Sequence, residues 1–129
     1  MGCNIHAYAE VTWDKRGEAK YLAHIGFNRN YGLFALMANV RNNGDFSPVV
    51  EPKGLPSGLS WQVEDERKDW EGDGYSHSWL SFEELEEVQR RYVAREGVES
   101  TELDAVIGLM RAFKKHNHAE PRLVFWFDN

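Results

Sequence analysis

From Cys3 to Trp13, Ile5, Ala7, Ala9 and Val11 alternate with Asn4, His6, Tyr8, Glu10 and Thr12. A period of two sends successive side chains to opposite faces of a strand, so the apolar set should face a core and the polar set should not. Asp14-Lys15-Arg16-Gly17 is a turn signal, with Gly17 free to take a positive φ. Glu18 to Phe27 should then return as a second strand, with Tyr21, Ala23 and Ile25 on one face. Past Asn28-Arg29-Asn30, Leu33, Phe34, Leu36, Met37 and Val40 recur at intervals of three and four. That pattern predicts a helix over Tyr31–Asn42, capped by Asn30 and stopped at Asn43-Gly44.

The stretch from Asn43 to Ser78 has no such rhythm. It carries every proline except Pro121, five glycines and the charged run Glu64 to Asp73, and reads as a long loop anchored by Trp61, Trp70 and Tyr75. Ser81-Phe82-Glu83-Glu84 matches a capping box and opens a helix to about Glu96, with Gly97 as its stop. Thr101-Glu102-Leu103-Asp104 opens another, with Leu103, Val106, Ile107, Met110 and Phe113 on one side and Arg111, Lys114 and Lys115 near its end. Arg122 to Phe127 is nearly all apolar and aromatic, as expected of a central strand covered on both faces. The expectation is one α+β domain over residues 1–129: an antiparallel sheet of three or more strands with about three helices packed on it.

Composition narrows the function classes. The 129 residues are 42% hydrophobic and 28% charged, ordinary for one globular domain. No window approaches the roughly 18 apolar residues of a membrane helix, and no secretory signal is visible at the start. One cysteine, Cys3, excludes an internal disulfide and fits a reduced, cytoplasmic setting. Residues 1–64 carry six basic and six acidic side chains, whereas residues 65–129 carry nine basic and fifteen acidic, the source of the net charge of −6. An acidic chain lacks the basic face that duplex nucleic acid requires. A small anionic ligand needs only a few converging cations and N–H groups.

Four polar clusters are candidates for chemistry. Asn4, His6, Tyr8 and Glu10 share a strand face, about 7 Å between successive members; the alternative is a face that meets solvent or supports a loop. Asn28-Arg29-Asn30-Tyr31 brings a forked cation to a helix N-terminus, suited to phosphate or carboxylate, although Asn in that place also caps. Ser76-His77-Ser78-Trp79 supplies an imidazole that exchanges protons near neutral pH and an indole able to stack on a base; the alternative is a loop histidine beside a packed Trp79. His116-Asn117-His118 resembles a metal pair but sits at a helix end, where such histidines are mostly solvated. Together, His6 and His77 with Arg29 or Lys53 make up the parts of a metal-free phosphodiesterase: one imidazole as base, the other as acid, a cation on the phosphate. Glu10 would orient or share the proton transfer. There is no G-x-S-x-G elbow, no P-loop and no G-x-G-x-x-G, and Cys3 reads as a packed thiol.

At Met1-Gly2-Cys3-Asn4-Ile5-His6, Arg29-Asn30-Tyr31-Gly32-Leu33-Phe34-Ala35, Gly54-Leu55-Pro56, His77-Ser78-Trp79-Leu80 and Phe125-Trp126-Phe127-Asp128-Asn129, the chain resembles a family of small proteins from phages and prophage-like genes. The likeness covers nearly the whole chain. The family's usual start has Asp in place of Asn4, a departure that argues against a required metal. The resemblance implies a setting: small phage proteins of this size commonly disarm bacterial immunity, and several groups cleave or sequester its cyclic nucleotide signals. The expectation is a cytoplasmic anti-defence protein without cofactor that binds such a nucleotide and hydrolyses its phosphodiester. His6, His77 and Glu10 would be catalytic; Asn4, Tyr8, Arg29, Asn30, Tyr31, Lys53, Ser78 and Trp79 would bind the ligand. The rival readings are a sponge that holds the nucleotide without turnover, an inhibitor that presents the acidic second half to a host defence protein, and a polar strand face that serves a homo-oligomer.

Overall fold

The computed structural model describes residues 2–13, 17–44, 46–116 and 118–129. The elements run β1 (Asn4–Trp13), β2 (Lys20–Ile25), α1 (Tyr31–Ala38), α2 (Trp61–Asp69), β3 (Tyr75–Ser81), α3 (Phe82–Glu96), α4 (Thr101–Lys114) and β4 (Ala119–Asp128). The four strands form one antiparallel sheet in the order β2-β1-β4-β3. The fold is therefore α+β, as the patterning predicts, with four helices. Among the described residues no helix is long and apolar enough to cross a membrane.

β1 and β4 are the central pair, in register from Asn4 opposite Asp128 to Trp13 opposite Ala119. Their alternation sorts two cores. Ile5, Ala7, Ala9, Leu123, Phe125 and Phe127 join Leu33, Phe34, Leu36 and Met37 of α1, Leu85 and Val88 of α3, and Leu103, Val106 and Met110 of α4 in the main core. The opposite face holds a smaller cluster, in which Tyr8, Val124 and Trp126 pack with Val63 of α2 and with Leu55, Leu59, Trp70 and Trp79. The central strand is thus covered on both sides, and the polar face of β1 is roofed by α2 and its flanking loops.

Three local expectations need correction. Residues 43–78 are not one long loop, because they contain α2 and most of β3. Ser60 caps α2 by accepting from the Val63 N–H, and Val63 is the one buried residue of that helix, so it shows no apolar stripe. Helix α1 stops at Ala38 rather than Asn42: Asn39 turns left-handed (φ 57°) and its N–H returns to the Ala35 and Phe34 carbonyls. In β2 a bulge falls opposite the Ala9/Glu10 step, so Tyr21 pairs with Glu10 while Ala23 pairs with Ala9 and Ile25 with Ala7. The extra residue moves Tyr21 to the Tyr8 side, away from the face of Ala23 and Ile25. The helix starts follow the sequence closely: Ser81 and Glu84 close both halves of the capping box, and Ser100 caps α4.

Candidate functional site

Because β1 and β4 run in register, their second face is a ladder of facing pairs: Asn4 with Asp128, His6 with Trp126, Tyr8 with Val124, Glu10 with Arg122. β3 adds Trp79 beside Val124. His77 lies in a second bulge between the Tyr75–Phe127 and Ser78–Phe125 pairs, where Ser76 adopts φ 52°. That bulge aims His77 at the same face as His6.

The two imidazoles therefore share a side of the sheet, and Trp126 of the intervening strand stands between them. Its indole stacks on His6 at 6.2 Å and on His77 at 5.8 Å between ring centroids, both at an interplanar angle of 28°. Trp126 is fully buried, and its Nε1 has no hydrogen-bond partner among the described residues. An acid and a base working on one phosphorus must both reach it; here an indole fills the space between them.

Around His6 the polar groups form a chain. Its Nε2 pairs with Asp128 Oδ2. Asp128 Oδ1 accepts from Asn4 Nδ2 at 3.3 Å, and Asn4 Oδ1 accepts from Arg29 Nε at 2.9 Å. The carboxylate fixes an Nε2–H tautomer, which leaves the lone pair on Nδ1. Nδ1 makes no hydrogen bond among the described residues, nor do the two Nη groups of Arg29. The Arg29 guanidinium lies against the backbone of Gly2, where a Cβ would meet Nη1 at 2.0 Å and the arginine head would have to move aside. Trp70, just past α2, packs its ring 4.2 Å from His6. The His6 side chain keeps 17% exposure. Chemically this is an oriented imidazole with a nitrogen lone pair to spare, linked through Asp128 and Asn4 to a guanidinium whose anion-binding edge is unspent among the described residues.

His77 is placed for another role. Burial, with a smaller push from the Arg67 charge, lowers its pKa below the ordinary histidine value, so the ring is neutral at physiological pH. Its carbonyl accepts from Gly54 N–H at 2.9 Å, tying the 52–56 loop to β3. Glu10 is not part of any proton relay with the histidines. It is fully buried, with Oε1 held by Arg122 and Oε2 accepting from Ser60 N–H at 2.8 Å, an anchor between sheet and α2.

The remaining predicted residues divide. Tyr8 is buried under Glu66, its hydroxyl donating at 3.4 Å, and burial followed by that carboxylate raises its pKa well above the usual phenol value. Asn30 caps α1 and donates to Tyr92. The Tyr31 hydroxyl accepts from Cys3 N–H at 3.1 Å on the main-core side, where burial and the Cys3 thiol push neighbouring Tyr75 up to about 12. Ser78 is buried and accepts from Lys53 N–H. Lys53 bonds Glu84 at 2.6 Å and lies 3.6 Å over the Trp79 ring. Desolvation works to raise the Glu84 pKa, but Lys53 and the Ser81 N–H outweigh it and the net shift is downward. Lys53 and Trp79 thus satisfy each other, close to a cavity of about 620 Å³ that Trp79, Arg122 and Thr12 line toward the other end of the sheet. Asn4, His6 and Arg29 come together; Tyr8, Glu10, Asn30, Tyr31, Lys53, Ser78 and Trp79 do not join them.

Asp128, Trp70 and Trp126 are the site residues that patterning did not flag. Asp128 was within reach, since a polar residue directly follows the apolar run of β4. The Trp70 contact depends on where α2 ends, which no periodicity marks. Among the described residues no three His, Cys, Asp or Glu side chains converge as metal ligands. His116 and His118 flank Asn117, which is outside the described residues. Compared with known proteins, the chain matches no family model, no curated protein and no solved structure.

Proposed function

We propose that the protein recognises a cyclic nucleotide signal of bacterial immunity in the cytoplasm and hydrolyses its phosphodiester, with His6 as the single base. One observation carries the reading: Asp128 orients His6 so that the lone pair is left on Nδ1, and the same carboxylate leads through Asn4 to Arg29, whose Nη groups make no hydrogen bond among the described residues. Arg29 would hold a phosphate oxygen by its paired N–H groups, and Nδ1 would take the proton from the attacking hydroxyl. Because Trp126 separates the rings, His77 is assigned no proton in the step, and the leaving oxygen takes its proton from water. Asn4 and Asp128 are positioning residues, and Trp70 offers an aromatic surface for a base beside the imidazole.

The test is incubation of the purified protein with a panel of cyclic di- and trinucleotides, with and without EDTA, followed by chromatography of the products. The expected result is EDTA-insensitive turnover that falls at least a hundredfold in His6→Ala and in Arg29→Ala, and about tenfold in Asp128→Asn. Turnover that survives His6→Ala overturns the assignment. Binding without turnover would favour the second reading, a sponge; the indole wedged between the two imidazoles supports it, since it prevents a paired acid and base. In that case the ligand raises the melting temperature by mass action, and Arg29→Ala removes the increase.

A further inference from the structure

Trp61 opens α2 with 60% of its surface exposed, the most exposed of the large aromatic side chains described. It plays no part in the smaller core, to which α2 contributes Val63. Instead the indole stands between two hollows. One, of about 270 Å³, is lined by Tyr21, Trp61, Gln62, Asp65 and Glu66. The other, of about 410 Å³, has Glu18, Glu64, Asp65 and Lys68 among its walls. Asp65, one helical turn after Trp61, borders both.

The charges differ between the two. In the larger hollow Glu64 is engaged by Arg67, whose hydrogen bond holds the carboxyl below its usual pKa, and Lys68 offsets part of what remains. The smaller hollow contains two carboxylates and no cation. Asp65 makes no hydrogen bond or ion pair among the described residues, and Glu66 meets only the Tyr8 hydroxyl. Two aromatic rings and two acceptor-only carboxylates around one concavity are complementary to a delocalised cation: the rings' negative faces attract it, and the carboxylates accept its N–H groups. A guanidinium fits better than an ammonium, because it is planar enough to lie on an indole and forked enough to bridge carboxylate oxygens.

We propose that Trp61, with Tyr21, Asp65 and Glu66, is a docking point for arginine side chains of a basic protein partner. The surface around it suits such a partner, because Asp65 and Glu66 are themselves exposed and the exposed Glu18 lines the adjoining hollow. The site is separate from His6 and stands or falls without it.

The test is fluorescence anisotropy of a labelled hexa-arginine peptide, with hexa-lysine and spermine as competitors. Wild-type protein should bind hexa-arginine, and neither competitor should match the unlabelled arginine peptide. Trp61→Ala should weaken binding about tenfold and Asp65→Asn several-fold, while Trp61→Phe retains part of it and Trp13→Ala, at another exposed indole, changes nothing. Since Trp61 lies outside both cores, the variants should keep the wild-type circular dichroism and melting temperature. Absence of binding, equal binding by Trp61→Ala, or equal competition by hexa-lysine or spermine would each overturn the proposal.

Discussion

The two faces of the central strand pair set opposite problems. Toward α1, α3 and α4, β1 and β4 present Ile5, Ala7, Ala9, Leu123, Phe125 and Phe127, which need only shape and volume. Toward α2 the same strands present Asn4, His6, Tyr8, Glu10, Arg122, Trp126 and Asp128, and a buried polar group left without a partner costs about 1–3 kcal/mol. At the Glu10 end the pairing is complete, so the polar groups act as structure. At the His6 end it stops short, with a ring nitrogen of His6 and both Nη groups of Arg29 unspent among the described residues. The contrast shows that a polar residue on a sheet face indicates a site only where its bonding capacity is not used up.

Substitutions should separate the faces by size of effect. Phe127→Ala, in the helix-covered core, should cost about 4 kcal/mol in a denaturant titration. Glu10→Ala should come next, about 3 kcal/mol, because it leaves the Arg122 guanidinium largely buried without its carboxylate. A loss near zero would show the loop-covered face to be dispensable for folding. Ser81→Ala, which removes one half of a capping box, should cost about 1 kcal/mol, read as a lower thermal midpoint.

The smallest effect concerns pH. Because the folded His77 has a depressed pKa, the unfolded chain takes up that proton first as pH falls. This contribution to stability is therefore intact above the ordinary histidine value of about 6.5 and is lost progressively as pH drops through it. Stability measured from pH 8 to pH 5 should decline more steeply in the wild type than in His77→Asn; parallel curves would show the ring to be solvated.

The sheet and the helix starts were largely legible in the chain. Alternation in β1 gave both faces, and Ser81 with Glu84 marked α3 to the residue. What escaped was set by contacts at a distance. Helix α2 rests on a single buried side chain, Val63, so its sequence looks like a charged loop. The bulges at Leu22 and at Ser76-His77 break the period of two, and it is the second that turns His77 toward His6. Sequence put Asn4, His6 and Arg29 in one neighbourhood of motifs, and they do meet. It also grouped Glu10 with them, because strand alternation shows which side a residue faces but not that Arg122 and Ser60 already hold it.

The pairing of residues 4–13 with residues 119–128 has a consequence for biogenesis. During synthesis β1 emerges more than a hundred residues ahead of the strand that flanks it on its inner side, with only the β2 hairpin available to it. Contacts so remote in sequence form slowly and late. Until β4 leaves the ribosome β1 therefore lacks one of its two strand partners, and the central pair of the sheet closes only at the end of synthesis.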